Sequence, residues 1–130
     1  MVASNSEEAV VEASISAFEE DKTCEDAIKA LTVLRGIGPA TASACLAARR
    51  PERYAFMADE PLECVMGTRK YTLREYLDFN SKLKLKCEII NLKMEDIGKA
   101  LWVCGQLGFE TAVKTRKRKL DTLEDSKQIE

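Results

Sequence analysis

Two glycines that flank one isoleucine give the clearest chemical signal in this sequence, within the segment Leu34-Arg35-Gly36-Ile37-Gly38-Pro39. Because glycine has no Cβ, Gly36 and Gly38 are expected to take backbone angles closed to other residues and to leave their main chain bare. Pro39 suits the first turn of a following helix. Unpaired amides at a helix start attract phosphate oxygens, so the segment predicts a phosphate site built from main-chain N–H groups.

The residues around this turn fit the close approach of a nucleic acid. Small side chains open the following helix, one apolar side chain is expected to anchor the turn in the core, and three arginines supply positive charge. Contacts to phosphates carry no base information, so the prediction is sequence-nonspecific, salt-sensitive binding with DNA favoured over RNA. The predicted contact residues are Arg35, Gly36, Ile37, Gly38, Ala40, Thr41, Arg49 and Arg50.

Apolar residues recur at helical spacing along most of the chain, and no stretch alternates strictly enough for a strand pair. A length of 130 residues suits one domain. The sequence therefore predicts an all-α fold, a compact bundle of about six helices over residues 1–110 that contains the glycine turn. A disordered charged tail is predicted over residues 111–130.

Local signals place several helix starts within this bundle. The hydroxyls of Thr23 and Thr72 are positioned to cap the amides that follow them, and Asp59 is expected to cap a short helix. A first helix is expected to begin after Ser4. Its predicted buried stripe consists of Val11, Ile15 and Phe18.

Charge is divided between the two ends of the chain. The net charge is −2, so electrostatics do not mark the whole molecule as a nucleic-acid binder. A basic cluster near the end resembles a nuclear localisation signal and equally an arm that holds phosphates, the alternative being a solvated tail. It predicts a nuclear protein. The cluster consists of Lys114, Arg116, Lys117, Arg118 and Lys119.

The cysteine pattern argues against a metal centre. The five cysteines are widely spaced without a pair two residues apart, and histidine is absent. Reduced cysteines in a helical core, inside a reducing compartment, are the expected use. No metal and no cofactor are predicted. The longest apolar runs are too short to span a bilayer, so no membrane partner is predicted either.

The segment Leu34–Leu46 resembles the helix-hairpin-helix superfamily, and the layout from Leu34 to Asp59 resembles its DNA glycosylases. In those enzymes the hairpin is followed by a helix, a proline-bearing loop and an acidic residue that supports attack on the sugar carbon. The resemblance implies Asp59 as the counterpart of that residue.

Three positions depart from the glycosylase pattern. Ala40 stands where lyase-type members carry a lysine, and Glu60 and Pro61 follow Asp59 in place of threonine and histidine. A flipped base also needs a pocket between two helical lobes, and the chain ahead of the hairpin is too short to build the first of them. We therefore predict a non-enzymatic module, with a glycosylase-like enzyme using Asp59, or its inactive relative, as an alternative.

A second resemblance extends over most of residues 3–107, to a group of eukaryotic proteins that implies a fold but no activity. Members of that group have further sequence ahead of the point that matches Met1, which implies that this chain lacks part of the domain. The strings that carry the resemblance are Gly38-Pro39-Ala40-Thr41-Ala42-Ser43-Ala44, Ala58-Asp59-Glu60, Tyr71-Thr72-Leu73-Arg74-Glu75-Tyr76 and Lys99-Ala100-Leu101-Trp102.

The other class of function that the sequence permits is protein interaction. Glycine turns often join two helices without binding anything. In that interpretation the hairpin only packs helices, and the acidic first helix or the face carrying Trp102 meets a protein partner. Stacking of Trp102 on a base is the alternative for that residue.

Overall fold

The structure, a computed structural model, describes residues 1–108. Within that range a short 3-10 helix, Val2–Ser4, precedes six α-helices, and there is no strand. This confirms the predicted all-α class and helix number. The basic cluster and residues 111–130 lie outside the described residues. The helices are α1 (Glu7–Ala17), α2 (Cys24–Thr32), α3 (Pro39–Arg49), α4 (Asp59–Met66), α5 (Leu73–Ile90) and α6 (Met94–Gln106).

Side-chain caps fix where several of these helices begin. The hydroxyl of Thr23 accepts from the amide of Asp26, and that of Thr72 accepts from the amide of Glu75. Both caps were predicted. The cap of α1 is Ser6 and not Ser4. Asp59 was also misassigned: Ala58 precedes α4, and Asp59 is its first helical residue, where a carboxylate faces the positive end of the helix dipole.

Helix α5 lies at the centre of the bundle and contacts α2, α3, α4 and α6. Its core face carries Tyr76, Phe79 and Leu83, which are almost completely buried. Ile28 of α2 and Leu46 of α3 belong to the same core cluster. Burying side chains of this size stabilises the fold by about 1.5–3 kcal/mol each, so α5 holds the glycine hairpin in place.

Helix α1 packs on α2 through a face different from the predicted one. Ala13 and Ala17 are buried, whereas Val11 and Ile15 are half or more exposed and Phe18 is partly buried at the helix end. Small residues let two helix backbones approach closely, so the alanines point inward although they are less apolar than valine and isoleucine. The predicted stripe is therefore wrong for Val11 and Ile15, which α1 presents outward, and right for Phe18, which packs against the core.

A buried polar network fastens the loop between α3 and α4. The Oδ1 atom of Asn80 accepts from the amide of Ala55 at 2.8 Å, and the Tyr76 hydroxyl donates to the Ala55 carbonyl at 3.0 Å. Burial raises the pKa of Tyr76, so the phenol keeps its proton and remains a donor. Ser43 Oγ accepts from the amide of Met57 at 2.9 Å. These three side chains thus form hydrogen bonds with backbone groups of the loop that would otherwise be buried without a partner.

Helices α4 and α6 pack against each other so closely that Gly105 has no space for a side chain. A Cβ at this position would lie 2.7 Å from the Cβ of Glu60, which is anchored on α4 and cannot rotate away. We expect Gly105→Ala to lower the free energy of unfolding by about 1–3 kcal/mol, because the two helices must move apart.

Gly98 on the same helix is the matched control for that substitution. A Cβ at Gly98 meets no atom of the described residues within 4 Å, so Gly98→Ala should raise stability by up to about 1 kcal/mol through helix propensity alone. Urea denaturation of the two variants measures the difference. Equal unfolding midpoints would contradict the packing argument.

Candidate nucleic-acid interface

The predicted glycine turn joins α2 and α3, which pack against each other. Gly36 has φ +79°, a left-handed conformation that strains any residue with a side chain, as predicted. Gly38 has φ −98° and ψ −179°, which any residue can adopt, so its predicted special angle is wrong. Gly38 instead precedes the first residue of α3, and a Cβ there would meet no atom of residues 1–108 within 4 Å. Its absent side chain leaves the start of α3 uncovered.

The amino-terminal segment covers one side of the turn. The Asn5 side chain accepts from the amide of Arg35 at 2.8 Å and donates to the Arg35 carbonyl at 3.0 Å. A side chain at Gly36 would lie 2.9 Å from Val2 Cγ2. The Ile37 amide donates to the Leu34 carbonyl within the turn. The amides of Arg35 and Ile37 are thus already hydrogen-bonded within the protein. The predicted turn with a fully accessible main chain is therefore wrong at these two residues.

The start of α3 remains open. Among the described residues, no atom accepts a hydrogen bond from the amides of Gly38, Ala40 or Thr41. Gly38 and Thr41 are exposed, and Ala40 is half-buried. These amides carry the positive end of the α3 dipole. The Arg35 side chain is exposed and forms no ion pair within residues 1–108, so it adds positive charge beside them.

The structure does not bring Arg49 and Arg50 to this place. Helix α3 contains 11 residues, so Arg49 lies about 15 Å along the helix axis from its start. The Arg50 guanidinium lies 3.5 Å from the Glu20 carboxylate and belongs to a contact with the loop after α1. Arg49 is exposed and could meet only a different phosphate. The predicted contact set is therefore split between the two ends of α3.

Two further residues fix the hairpin and the loop that follows α3. Ile37 is half-buried against the core, which confirms its predicted role as an anchor. The guanidinium of Arg53 donates to the carbonyls of Glu20 and Lys22 and lies 5.4 Å from the ring centre of Tyr54. Arg53 fastens the α1–α2 connection to the loop after α3. Because its partners are distant in sequence, no local pattern indicated this role.

Asp59 lies in a polar setting at the molecular surface. Its carboxylate accepts a hydrogen bond from the Tyr71 hydroxyl and lies 3.5 Å from the Arg69 guanidinium, with its side chain half exposed. The hydrogen bond to this carboxylate raises the pKa of Tyr71. Two partners thus occupy the group that the glycosylase resemblance singled out.

An apolar groove of about 730 Å³ runs between α3, the loop after it and α6. Alanines of α3 form one wall and α6 forms the other. The exposed fractions of Phe56, Trp102 and Val103 are 52%, 49% and 46%. Asp59 does not line this groove, although its neighbours Ala58 and Pro61 do. The sequence indicated the exposed tryptophan but not the groove beside it.

Comparisons of this chain with family models, with curated proteins and with solved structures find no match. Within residues 1–108, none of the helices combines the length and the apolar character that crossing a membrane requires.

Proposed function

We propose that this protein is a non-enzymatic module that binds the phosphate backbone of nucleic acid, DNA in preference to RNA, through the start of α3. The observation that carries the proposal is the group of amides at Gly38, Ala40 and Thr41, which find no acceptor within residues 1–108 and lie at an exposed helix start with Arg35 beside it. Helix starts of this kind bind anions because N–H groups and the helix dipole act together. A phosphate of the nucleic-acid backbone can bind at such a site without any contact between the protein and a base edge.

The proposal extends to the basic cluster that follows the described residues. One helix start binds a phosphate weakly, and further cations in the same chain add affinity without adding sequence preference. We infer that Lys114, Arg116, Lys117, Arg118 and Lys119 supply that charge and direct the protein to the nucleus. Arg49 contributes to the same polyanion contact at the far end of α3.

Fluorescence anisotropy tests the binding proposal. The full chain is titrated into a labelled duplex and a labelled single strand at about 50 and 200 mM salt, and affinity should fall steeply as salt rises. Duplexes of different sequence should bind equally within experimental error. Absence of binding at the lower salt concentration would contradict the proposal.

A second candidate function, protein interaction, is favoured by the outward face of α1. Val11 and Ile15 are exposed there, and four glutamates surround them in a shallow hollow. Within residues 1–108, only Glu19 of these four forms an ion pair. An apolar patch ringed by carboxylates fits a basic amphipathic segment of another protein. The four glutamates are Glu7, Glu8, Glu12 and Glu19.

The α1 face has its own test. Replacement of Val11 and Ile15 by serine should abolish capture of a basic amphipathic peptide on immobilised protein, while binding to duplex stays unchanged. The reverse pattern, loss of duplex binding with peptide capture retained, would contradict an α1 interaction site.

A further inference from the structure

The outward face of α5 has the same residue spacing as the outward face of α1 but carries charge of the opposite sign. In each helix four exposed residues stand at positions i, i+3, i+4 and i+7, which lie on one side of a helix. The two apolar members of each set are about 6 Å apart along the helix axis. The acidic α1 face consists of Glu8, Val11, Glu12 and Ile15, and the basic α5 face consists of Lys82, Leu85, Lys86 and Ile89.

The basic α5 face has no cover within residues 1–108. The exposed fractions of Leu85 and Ile89 are 58% and 74%. In this part of the chain Lys86 forms no ion pair, and Lys82 pairs only with Asp78, one turn away on the same helix at 3.0 Å. Two large apolar side chains thus meet water beside positive charge, and their burial against another surface would be favourable.

The segments that carry the two faces have opposite net charge. Residues 7–19 contain four glutamates and no cation, which gives a net charge of −4. Residues 81–93 contain four lysines and one glutamate, Glu88, which gives +3. By helical spacing Lys82 and Lys86 follow one edge of the apolar pair, and Glu88 stands at the other edge. Opposite charge favours contact between the two faces, whereas two copies of the same face repel each other.

We propose that copies of this chain associate through these unlike faces, with the acidic α1 face of one copy packed on the basic α5 face of another. The basic amphipathic segment that fits α1 is thus present in this chain itself. The inference rests on the second candidate function, protein interaction through α1.

The matching patterns also set the orientation of the contact. Because the pattern runs in the same sense along both helices, an antiparallel approach brings the glutamates and the lysines to the same edge. A contact between two helices is small, so the association should depend on protein concentration. It should also weaken as salt rises, because its charges are exposed.

Charge reversal in the full chain tests the proposal by sedimentation equilibrium. The average mass of the wild type should rise about twofold above the monomer mass as protein concentration increases. Two double variants should each stay monomeric, because like charges then meet. An equimolar mixture of the two should regain association, since every face of one variant meets opposite charge on the other. The α1 variant is Glu8→Lys with Glu12→Lys, and the α5 variant is Lys82→Glu with Lys86→Glu.

A third variant controls for the change in net charge. Glu52→Lys with Asp96→Lys alters the charge of the chain as much as the α1 variant does, at exposed residues outside both faces. It should associate like the wild type. All the replaced residues are exposed, so circular dichroism should show the helices retained in every variant.

Three results would overturn the proposal. The first is a wild-type chain that stays monomeric at every concentration. The second is association retained in the α5 variant, which would mean that α1 binds another basic segment of the chain. The third is a mixture of the two variants that stays monomeric. Capture of a basic peptide by α1 in a chain that stays monomeric would remove the self-association alone and leave the α1 interaction site in place, so the two failures are distinguishable.

Discussion

Asn80→Ala is expected to lower the free energy of unfolding by about 2–4 kcal/mol, because a buried amide loses its acceptor and a small cavity opens. Asn80 accepts from the Ala55 amide and donates to the Arg53 carbonyl, at 2.8 and 3.4 Å. No water can replace the lost acceptor without entering the packed space between α5 and the loop, where Ala55 and Asn80 are both buried. The loop between α3 and α4 should therefore become more mobile, in addition to the loss of overall stability.

Ser81→Ala is the control, since Ser81 is the next residue of α5 and is exposed. Exposed substitutions away from special features usually change stability by less than about 0.5 kcal/mol. Urea denaturation of both variants gives the comparison. If Asn80→Ala unfolded at the wild-type midpoint, the loop network would not be a source of stability.

Thr41→Glu should weaken duplex binding by about tenfold at low salt, because it places a negative charge at the proposed phosphate site. The substitution separates binding from folding. Thr41 is exposed in the first turn of α3, where a carboxylate interacts favourably with the helix dipole and should not destabilise the protein.

Glutamine has nearly the size of glutamate without its charge, so the Thr41→Gln variant should bind duplex with an affinity within about twofold of wild type. Anisotropy titrations of the three proteins at one salt concentration measure the effect. Wild-type affinity in both the glutamate and the glutamine variant would place the phosphate elsewhere. Equal losses in both would point to the size of the side chain and not to charge.

Helix starts and ends were the most predictable part of the fold. Thr23, Thr72 and Pro39 mark the starts of α2, α5 and α3, and Gly67 ends α4 in a left-handed conformation. These signals are readable because a cap acts on amides within one turn of itself. Ser4 and Ser6 are close together and carry the same capping signal, so the sequence did not distinguish them. The residue that caps α1 is Ser6 and not Ser4.

The features that sequence reasoning missed depend on residues far apart in the chain. Asn5 meets the hairpin 30 positions later, and Asn80 meets a loop 25 positions earlier. A polar residue in an amphipathic helix is normally assigned to the solvent face, so Asn80 gave no signal of burial. The inward turn of Ala13 likewise follows from the close approach of α2. Tertiary contacts determine the positions of Asn5, Asn80 and Ala13, and such contacts are not visible in a local sequence pattern.

The candidate site was predicted in part. The apolar anchor Ile37 and the open helix start after Gly38 are where the sequence placed them. The cover provided by Asn5 was not foreseeable. The separation of Arg49 from that start follows from helix length alone, because the first and last residues of an 11-residue helix lie about 15 Å apart.

Backbone amide shifts, recorded while a short DNA duplex is titrated into the full chain, test the central claim most directly because they locate the contact as well as detect it. Phosphate binding at the start of α3 predicts the largest shifts at the amides of Gly38, Ala40 and Thr41, with smaller ones at Arg35 and in the basic cluster. Shifts confined to α1 or to the residues after Gly108, with the start of α3 unchanged, would contradict it.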